Sequence, residues 1–136
     1  MHARFAALAA LMLVLGSCSS VFRITPCRLG EKLAFQVPKR TFFGFSTPRT
    51  IERIAVTPRG IDADMWWTDD KRTLHDGYTR VVYGARLRGW TEITPAKALN
   101  CAETYSIMIV GDDGDGGDAD FVPREVTEQC GVSEGA

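Results

Sequence analysis

Apolar side chains recur at every second position in several short segments of this 136-residue chain. Most of these segments end at a proline or a glycine. Alternation of this kind places successive side chains on opposite faces of a β-strand. The segments are Leu33 to Val37, Ile54 to Val56, Thr79 to Trp90 and Thr104 to Val110. A further predicted strand, Asp64 to Thr68, is rich in β-forming residues around Trp66 and Trp67 and precedes a turn signal, Asp69-Asp70. The pattern predicts a mainly β fold, either a small antiparallel β-sandwich or a barrel.

One short helix is predicted near residues 95–101. Thr94 can cap its first turn, and Pro95 suits the first helical position. Ala96 to Leu99 then consists of good helix formers.

The first 17 residues have the composition of a signal peptide. A positively charged start, Met1 to Arg4, precedes an unbroken apolar run from Phe5 to Leu15. That run is too short to span a bilayer, which takes about 20 apolar residues. Small residues then lead to Cys18.

The quartet Leu15-Gly16-Ser17-Cys18 resembles the lipobox of bacterial lipoproteins. The resemblance implies cleavage before Cys18, acylation of its thiol and amine, and a mature protein held on a membrane. Because Ser19 rather than aspartate follows Cys18, it further implies sorting to the periplasmic face of the outer membrane. A secreted or soluble periplasmic protein, cut by ordinary signal peptidase, is the alternative.

The mature chain therefore comprises a lipidated cysteine with a very short tether, 18–20, and one β-rich domain, 21–136. Its charge is uneven: Ser19 to Gly60 has eight basic and two acidic residues, whereas Cys101 to Ala136 has one basic and nine acidic residues. We expect the two halves to pair within the fold. In the alternative, the basic half faces anionic lipid headgroups. Export makes nucleic acid an unexpected partner.

Three cysteines follow Cys18, and an oxidising compartment favours a disulfide between two of them. If Thr104 to Val110 and Phe121 to Gln129 form a hairpin, its symmetric register places Cys101 opposite Cys130. The geometry thus predicts a Cys101–Cys130 disulfide. Cys27 is then free, although it can instead pair with either of the others.

Aspartates crowd the segment between those two predicted strands. Calcium takes six to eight oxygen ligands, so Asp113, Asp115, Asp118 and Asp120 are weak candidates for a calcium site. Their spacing departs from the EF-hand pattern, because Gly117 stands where aspartate or asparagine belongs. We therefore expect a solvated hairpin tip and no cofactor.

His75 is the one histidine of the mature chain, and it precedes Asp76. A histidine beside an aspartate is typical of a general base, with Cys27 or a serine as nucleophile. No nucleophile motif accompanies it, and a single histidine excludes the usual multi-histidine metal sites. The sequence predicts no enzyme.

Two groups of aromatic residues are candidates for an interaction surface. Phe42, Phe43 and Phe45 lie between two prolines and beside basic residues, where they can insert at a membrane interface or contact a partner. The alternative is that they fold inward and cap the sandwich. Trp66, Trp67 and Trp90 can likewise line a ligand groove or belong to the core. Since Trp66 and Trp67 are adjacent in an extended segment, one is expected in the core and the other partly exposed.

Taken together, these features predict a membrane-anchored envelope lipoprotein with a structural or accessory-subunit role and an envelope protein as possible partner. The alternative is a ligand-binding module that uses the aromatic face for a glycan or an apolar molecule. A hydrolase is the third and most distant hypothesis.

Overall fold

The computed structural model describes residues 21–112 and 114–131, with only the backbone described at Phe42. The predicted signal peptide, Cys18, the predicted tether and Asp113 lie outside the described residues. Within the described ranges, no helix is long and apolar enough to cross a bilayer.

The larger of the two main sheets has the strand order β1-β12-β11-β6-β7-β10, with β8 also paired to β6. All neighbours in it are antiparallel except β1 and β12, which are parallel. The bounds are β1 Val21–Arg23, β6 Arg49–Pro58, β7 Trp66–Asp69, β8 Gly77–Tyr78, β10 Thr91–Thr94, β11 Tyr105–Gly111 and β12 Gly116–Phe121.

A second sheet contains three antiparallel strands in the order β2-β3-β9, and a separate hairpin pairs β4 with β5. Their bounds are β2 Thr25–Leu29, β3 Lys32–Gln36, β4 Arg40–Phe42, β5 Phe45–Thr47 and β9 Arg80–Val82. One 3-10 helix, Pro123–Glu125, follows β12. The two main sheets form a small β-sandwich, which confirms the predicted fold class.

Alternating apolar residues from both sheets form the core of the sandwich. In β11, Tyr105, Ile107 and Ile109 are buried, whereas the side chains between them are at least partly accessible. The Phe35 ring of β3 meets the Phe121 ring of β12 edge-on, with 5.2 Å between their centroids. These contacts join the two sheets.

A β-bulge in β6 explains why its buried residues do not alternate strictly. Ile51 and Ile54 are both fully buried although they are separated by an odd number of positions. The register against β11 shifts between them, because Val110 pairs with Arg53 whereas Gly111 pairs with Ile51. The extra residue, Glu52, returns Ile51 to the core face.

The predicted hairpin between residues 104 and 129 forms with a different second strand. That strand is β12, and Tyr105 of β11 pairs with its last residue, Phe121. Glycine makes this arrangement possible: a Cβ at Gly117 would lie 2.6 Å from the Phe22 ring, so only glycine lets β1 pack here. The segment interpreted as a loop is therefore partly a strand.

The predicted Cys101–Cys130 disulfide is wrong, because the chain leaves the hairpin after Phe121 and Cys130 never lies opposite Cys101. The last described residues instead run beside β2, where the Cys130 N–H donates to the Arg28 carbonyl at 2.7 Å. This pairing brings Cys130 next to Cys27, and the two form the disulfide, with 4.9 Å between their Cα atoms. Cys101 is free and exposed.

The helix predicted for 95–101 does not form, and residues 95–100 are irregular. Their backbone groups bond to other parts of the fold. The Lys97 N–H donates to the Met65 carbonyl at 2.9 Å, and the Asn100 N–H donates to the Tyr105 hydroxyl at 2.8 Å. The Tyr83 hydroxyl donates to the Lys97 carbonyl at 2.6 Å. These tertiary bonds replace those of a helix.

The long alternating segment from Thr79 to Trp90 contains one short strand, β9, which ends at Val82. The chain then turns twice. The Ala85 N–H donates to the Val82 carbonyl at 3.1 Å, and the Trp90 N–H donates to the Leu87 carbonyl at 3.1 Å. Both turns contain glycine at positive φ, Gly84 at 76° and Gly89 at 81°.

Candidate functional site

The β4–β5 hairpin presents two exposed aromatic side chains. Phe43 is 85% exposed and Phe45 is 76% exposed, so neither ring belongs to the core. The alternative in which these residues cap the sandwich is therefore wrong for Phe43 and Phe45. The side chain of Phe42 lies outside the described part of the chain.

Phe43 and Gly44 form the two-residue turn of this hairpin, because Phe42 pairs with Phe45 across it. Both turn residues have positive φ, 48° at Phe43 and 80° at Gly44. Turns of this kind favour Asn-Gly or Asp-Gly, and a bulky residue at positive φ is strained by roughly 1–3 kcal/mol. Strain of this size at an exposed aromatic residue suggests a functional constraint on that residue.

Arg49 connects the base of the hairpin to the rest of the sandwich. Its Nε donates to the Pro38 carbonyl at 3.2 Å, and its guanidinium lies 4.4 Å from the centre of the Phe22 ring. Its Nη1 also forms a salt bridge of 2.6 Å with Asp115, a largely buried carboxylate. The arginine thus ties the start of β4 to β1 and to the loop before β12.

The first described residue, Val21, lies on the same side as the hairpin. Val21 is 79% exposed, and with Arg40 and Thr41 it lines a cavity of about 220 Å³ between β1, β4 and β6. The first described strand therefore begins beside the base of the β4–β5 hairpin. Lys39 and Arg40 add positive charge at the base of the hairpin.

The three tryptophans do not share a face. Trp66 is fully buried and packs edge-on against Tyr83, with 5.4 Å between ring centroids. Trp67 is half-buried: its indole N–H donates to Asp69 at 2.8 Å, and the Arg53 guanidinium lies 5.6 Å from its ring centre. The prediction that one of this pair is in the core and the other partly exposed is confirmed.

Trp90 lies apart from the other two and borders an open groove of about 310 Å³. Its indole N–H donates to the Tyr78 hydroxyl at 3.0 Å, and the two rings meet edge-on. Burial raises the pKa of the Tyr78 hydroxyl. The residues that line the groove are Thr68, Ala85, Arg86, Leu87, Trp90 and Glu92.

Asp70 and Arg72 form a charged cluster beside the turn that precedes Trp90. Arg72 donates to both carboxylate oxygens of Asp70, from Nε at 2.8 Å and from Nη2 at 2.9 Å. These hydrogen bonds hold the pKa of Asp70 at about 2, although burial of the carboxylate opposes them. The same guanidinium covers Gly89, where a Cβ would lie 2.6 Å from Nη1 of Arg72. The cluster therefore braces the turn that leads to Trp90.

The acidic residues of the β11–β12 region point to different partners. Asp115 pairs with Arg49, and Asp120 bonds to Ser106 and lies 3.7 Å from Arg59. Asp118 is exposed on β12, and Asp113 is outside the described residues. Among the residues that the structure describes, no three metal-ligating side chains come together, so the weak calcium hypothesis gains no support. The Arg49 and Arg59 pairs join the basic and acidic halves as expected.

His75 lies beside Asp70, and no interaction among the described residues joins it to a nucleophile. Its Nδ1 is 3.2 Å from Oδ2 of Asp70, without a hydrogen bond. Cys27, the thiol considered as its nucleophile, lies in a disulfide. Asp70, with His75 beside it, therefore binds Arg72 and supports a loop.

The sequence interpretation missed the groove. Arg86 belongs to the segment predicted as one long strand, and Glu92 belongs to no predicted site; both lie beside Trp90 because the turns after β9 fold back toward β10. In the sequence, Gly84 and Gly89 are the residues that could have indicated these two turns. Comparison with models of protein families finds no match, and comparison with curated proteins finds no relative.

Proposed function

We propose that this protein is a lipid-anchored envelope module, held on the periplasmic face of the outer membrane, with a structural or accessory role. In this proposal Cys18 carries the acyl chains, and the β4–β5 hairpin contacts the membrane interface close to the anchor. A partner protein in the envelope would dock on the remaining surface.

The exposed and strained phenylalanine hairpin is the single observation that supports the proposal best. Fully burying a phenylalanine contributes about 1.5–3 kcal/mol, a gain that Phe43 and Phe45 do not obtain inside the sandwich. Insertion into a membrane interface would recover it. Lys39 and Arg40 at the hairpin base would add attraction to anionic headgroups.

The position of the hairpin supports the same conclusion. Only Ser19 and Ser20 separate Cys18 from Val21, and Val21 lines the cavity beside β4. A chain reaches at most about 3.3–3.6 Å per residue, so an anchor at Cys18 would hold this end of the sandwich within about 10 Å of the lipid.

The anchor is tested by replacing its cysteine. We expect Cys18→Ala to abolish metabolic labelling with a fatty acid and to release the protein from the outer-membrane fraction. Unchanged outer-membrane association of an unlabelled variant would contradict the lipoprotein assignment.

The hairpin is tested separately, with the chain from Ser19 onward, which retains every described residue. We expect this chain to bind vesicles containing phosphatidylglycerol, and Phe43→Ser/Phe45→Ser to weaken binding about tenfold or more. The matched control is Leu74→Ser, which removes an equally exposed apolar side chain elsewhere. Equal binding of the hairpin variant and the parent would overturn the contact, as would equal weakening in the control.

A further inference from the structure

The groove beside Trp90 lies at the opposite edge of the larger sheet from β1. Thr68 of β7 forms its buried side, β10 contributes Glu92, and the turns after β9 contribute the remaining lining residues. Its volume of about 310 Å³ is at the lower end of the range for small-molecule sites. It is therefore large enough for one or two small rings.

The groove is organised before any ligand arrives. The Trp90 ring is fixed by its bond to Tyr78, and the Trp90 backbone closes a turn onto Leu87. The Arg72 guanidinium, held by Asp70, packs on Gly89 immediately before Trp90. A ligand would therefore bind without the cost of ordering this loop.

Two charged groups at the groove, those of Arg86 and Glu92, have no partner among the residues that the structure describes. Neither Arg86 nor Glu92 makes an ion pair or a side-chain hydrogen bond within the described part of the chain. A guanidinium only donates hydrogen bonds and a carboxylate only accepts them. A ligand that binds both side chains therefore needs hydrogen-bond acceptors for Arg86 and hydrogen-bond donors for Glu92.

We propose that this groove binds a neutral saccharide, with one sugar ring against the indole of Trp90. A pyranose ring has an apolar C–H face for Trp90 and Leu87, and its hydroxyls both donate and accept. They can donate to Glu92 and accept from Arg86 without a net charge. The groove is open, so it can take one unit of a longer glycan chain.

Other ligand classes match the lining less well. A ligand with a single charge would satisfy one of the two charged groups and repel the other. An aliphatic zwitterionic amino acid such as alanine would pair with both, but it lacks a flat apolar face for the indole. The proposal is independent of the lipid anchor, since none of the residues of the groove belongs to the hairpin or to the tether.

The test uses the full lipidated protein, labelled with ¹⁵N, in a detergent without a sugar headgroup. Triacetylchitotriose and maltotriose are titrated while the indole N–H signals are recorded, with that of Trp90 assigned through Trp90→Phe. We expect saturable movement of the Trp90 signal with at least one trisaccharide, while the signals of Trp66 and Trp67 remain in place.

Surface variants then localise the site without disturbing the core. We expect Arg86→Gln and Glu92→Gln each to weaken binding about tenfold, since each loses hydrogen bonds to a charged group. Arg88→Gln, an exposed arginine outside the groove, is the control and should bind like the parent. The proposal is overturned if neither trisaccharide moves the Trp90 signal or if the groove variants bind like the control. Movement of the signal by alanine, added as a zwitterion, and not by the sugars would also overturn it.

Discussion

At the scale of single residues, Asp70 shows how one side chain can organise a loop. The Asp70 side chain is fully buried, and its carboxylate accepts two hydrogen bonds from the Arg72 guanidinium and one from the Arg72 backbone N–H. The Asp70 N–H is in turn bonded to the Glu52 carbonyl at 2.8 Å. The guanidinium, fixed in this way, covers Gly89. The charge pair thus supports the turn that leads to Trp90.

This pair predicts a dependence of stability on acid pH. The pKa of Asp70 is lowered from 3.8 to about 2 in the folded protein, so the charged carboxylate favours folding. The stabilisation is complete above about pH 4 and is lost as the pH falls toward 2. We expect a contribution of about 1 kcal/mol to the free energy of unfolding, since Arg72 is partly exposed and solvent screens the pair.

Urea unfolding between pH 5 and 2 measures this contribution. Asp70→Asn should destabilise the protein at pH 5 and reduce the loss of stability on acidification. Asp62→Asn, at an exposed aspartate without a described partner, should leave the pH profile as in the parent. A steep acid profile that persists in Asp70→Asn would assign the effect to other carboxylates.

At the scale of elements, the β4–β5 hairpin keeps a turn that local energetics disfavour. Gly44 has the positive φ that its position requires, but Phe43 reaches φ 48° with a bulky side chain. A Cβ at Gly44 would meet no atom within 4 Å, so the preference for glycine there is purely conformational. The aromatic residue at position 43 thus reduces stability, which agrees with a role in contact.

Replacing Phe43 with asparagine, a residue that the turn prefers, should separate its effect on stability from its role in membrane contact. We expect Phe43→Asn to raise the free energy of unfolding by about 1 kcal/mol, because asparagine tolerates positive φ. The same variant should bind anionic vesicles less well. Thermal or urea unfolding measures the first effect and vesicle sedimentation the second.

Gly44→Ala is the companion variant, and it should lower stability by about 1 kcal/mol while leaving both phenylalanines in place. A large loss of stability in Phe43→Asn would show instead that the Phe43 ring stabilises the fold.

At the scale of the whole molecule, one disulfide joins the two ends of the described chain. Cys27 of β2 and Cys130 are 103 residues apart in the sequence. The side chain of Arg28, the residue after Cys27, donates hydrogen bonds to the carbonyls of Val126 and Pro123. The last segment is therefore held by hydrogen bonds as well as by the disulfide. Cross-linking such distant positions reduces the entropy of the unfolded chain.

We expect Cys130→Ser to lower the free energy of unfolding by about 3–5 kcal/mol. Cys101→Ser, at a free and exposed thiol, should have little effect and is the matched control. Peptide mapping without reduction should recover Cys27 linked to Cys130, and maleimide should label Cys101 in the native protein. Recovery of a Cys101–Cys130 peptide would contradict the pairing described above.

Sequence alone determined the class of the fold and several of its strands. β-forming residues identified β7, and alternation identified β3, β11 and part of β6, because the period of two follows directly from the geometry of an extended chain. It also separated Trp66 from Trp67, since adjacent residues of a strand face opposite ways. These properties are local, and a few neighbouring residues fix them.

Tertiary structure decided the features that depend on distant partners. The helix expected near residue 95 is replaced by hydrogen bonds to Met65 and Tyr105. Glycines expected in a loop belong to β12, where the Phe22 ring packs against Gly117. The partner of Cys130 was settled by the path of the chain after Phe121. The groove at Trp90 likewise exists because two turns bring Arg86 toward Glu92. Contacts of this kind join residues far apart in the chain, so no local pattern contains them.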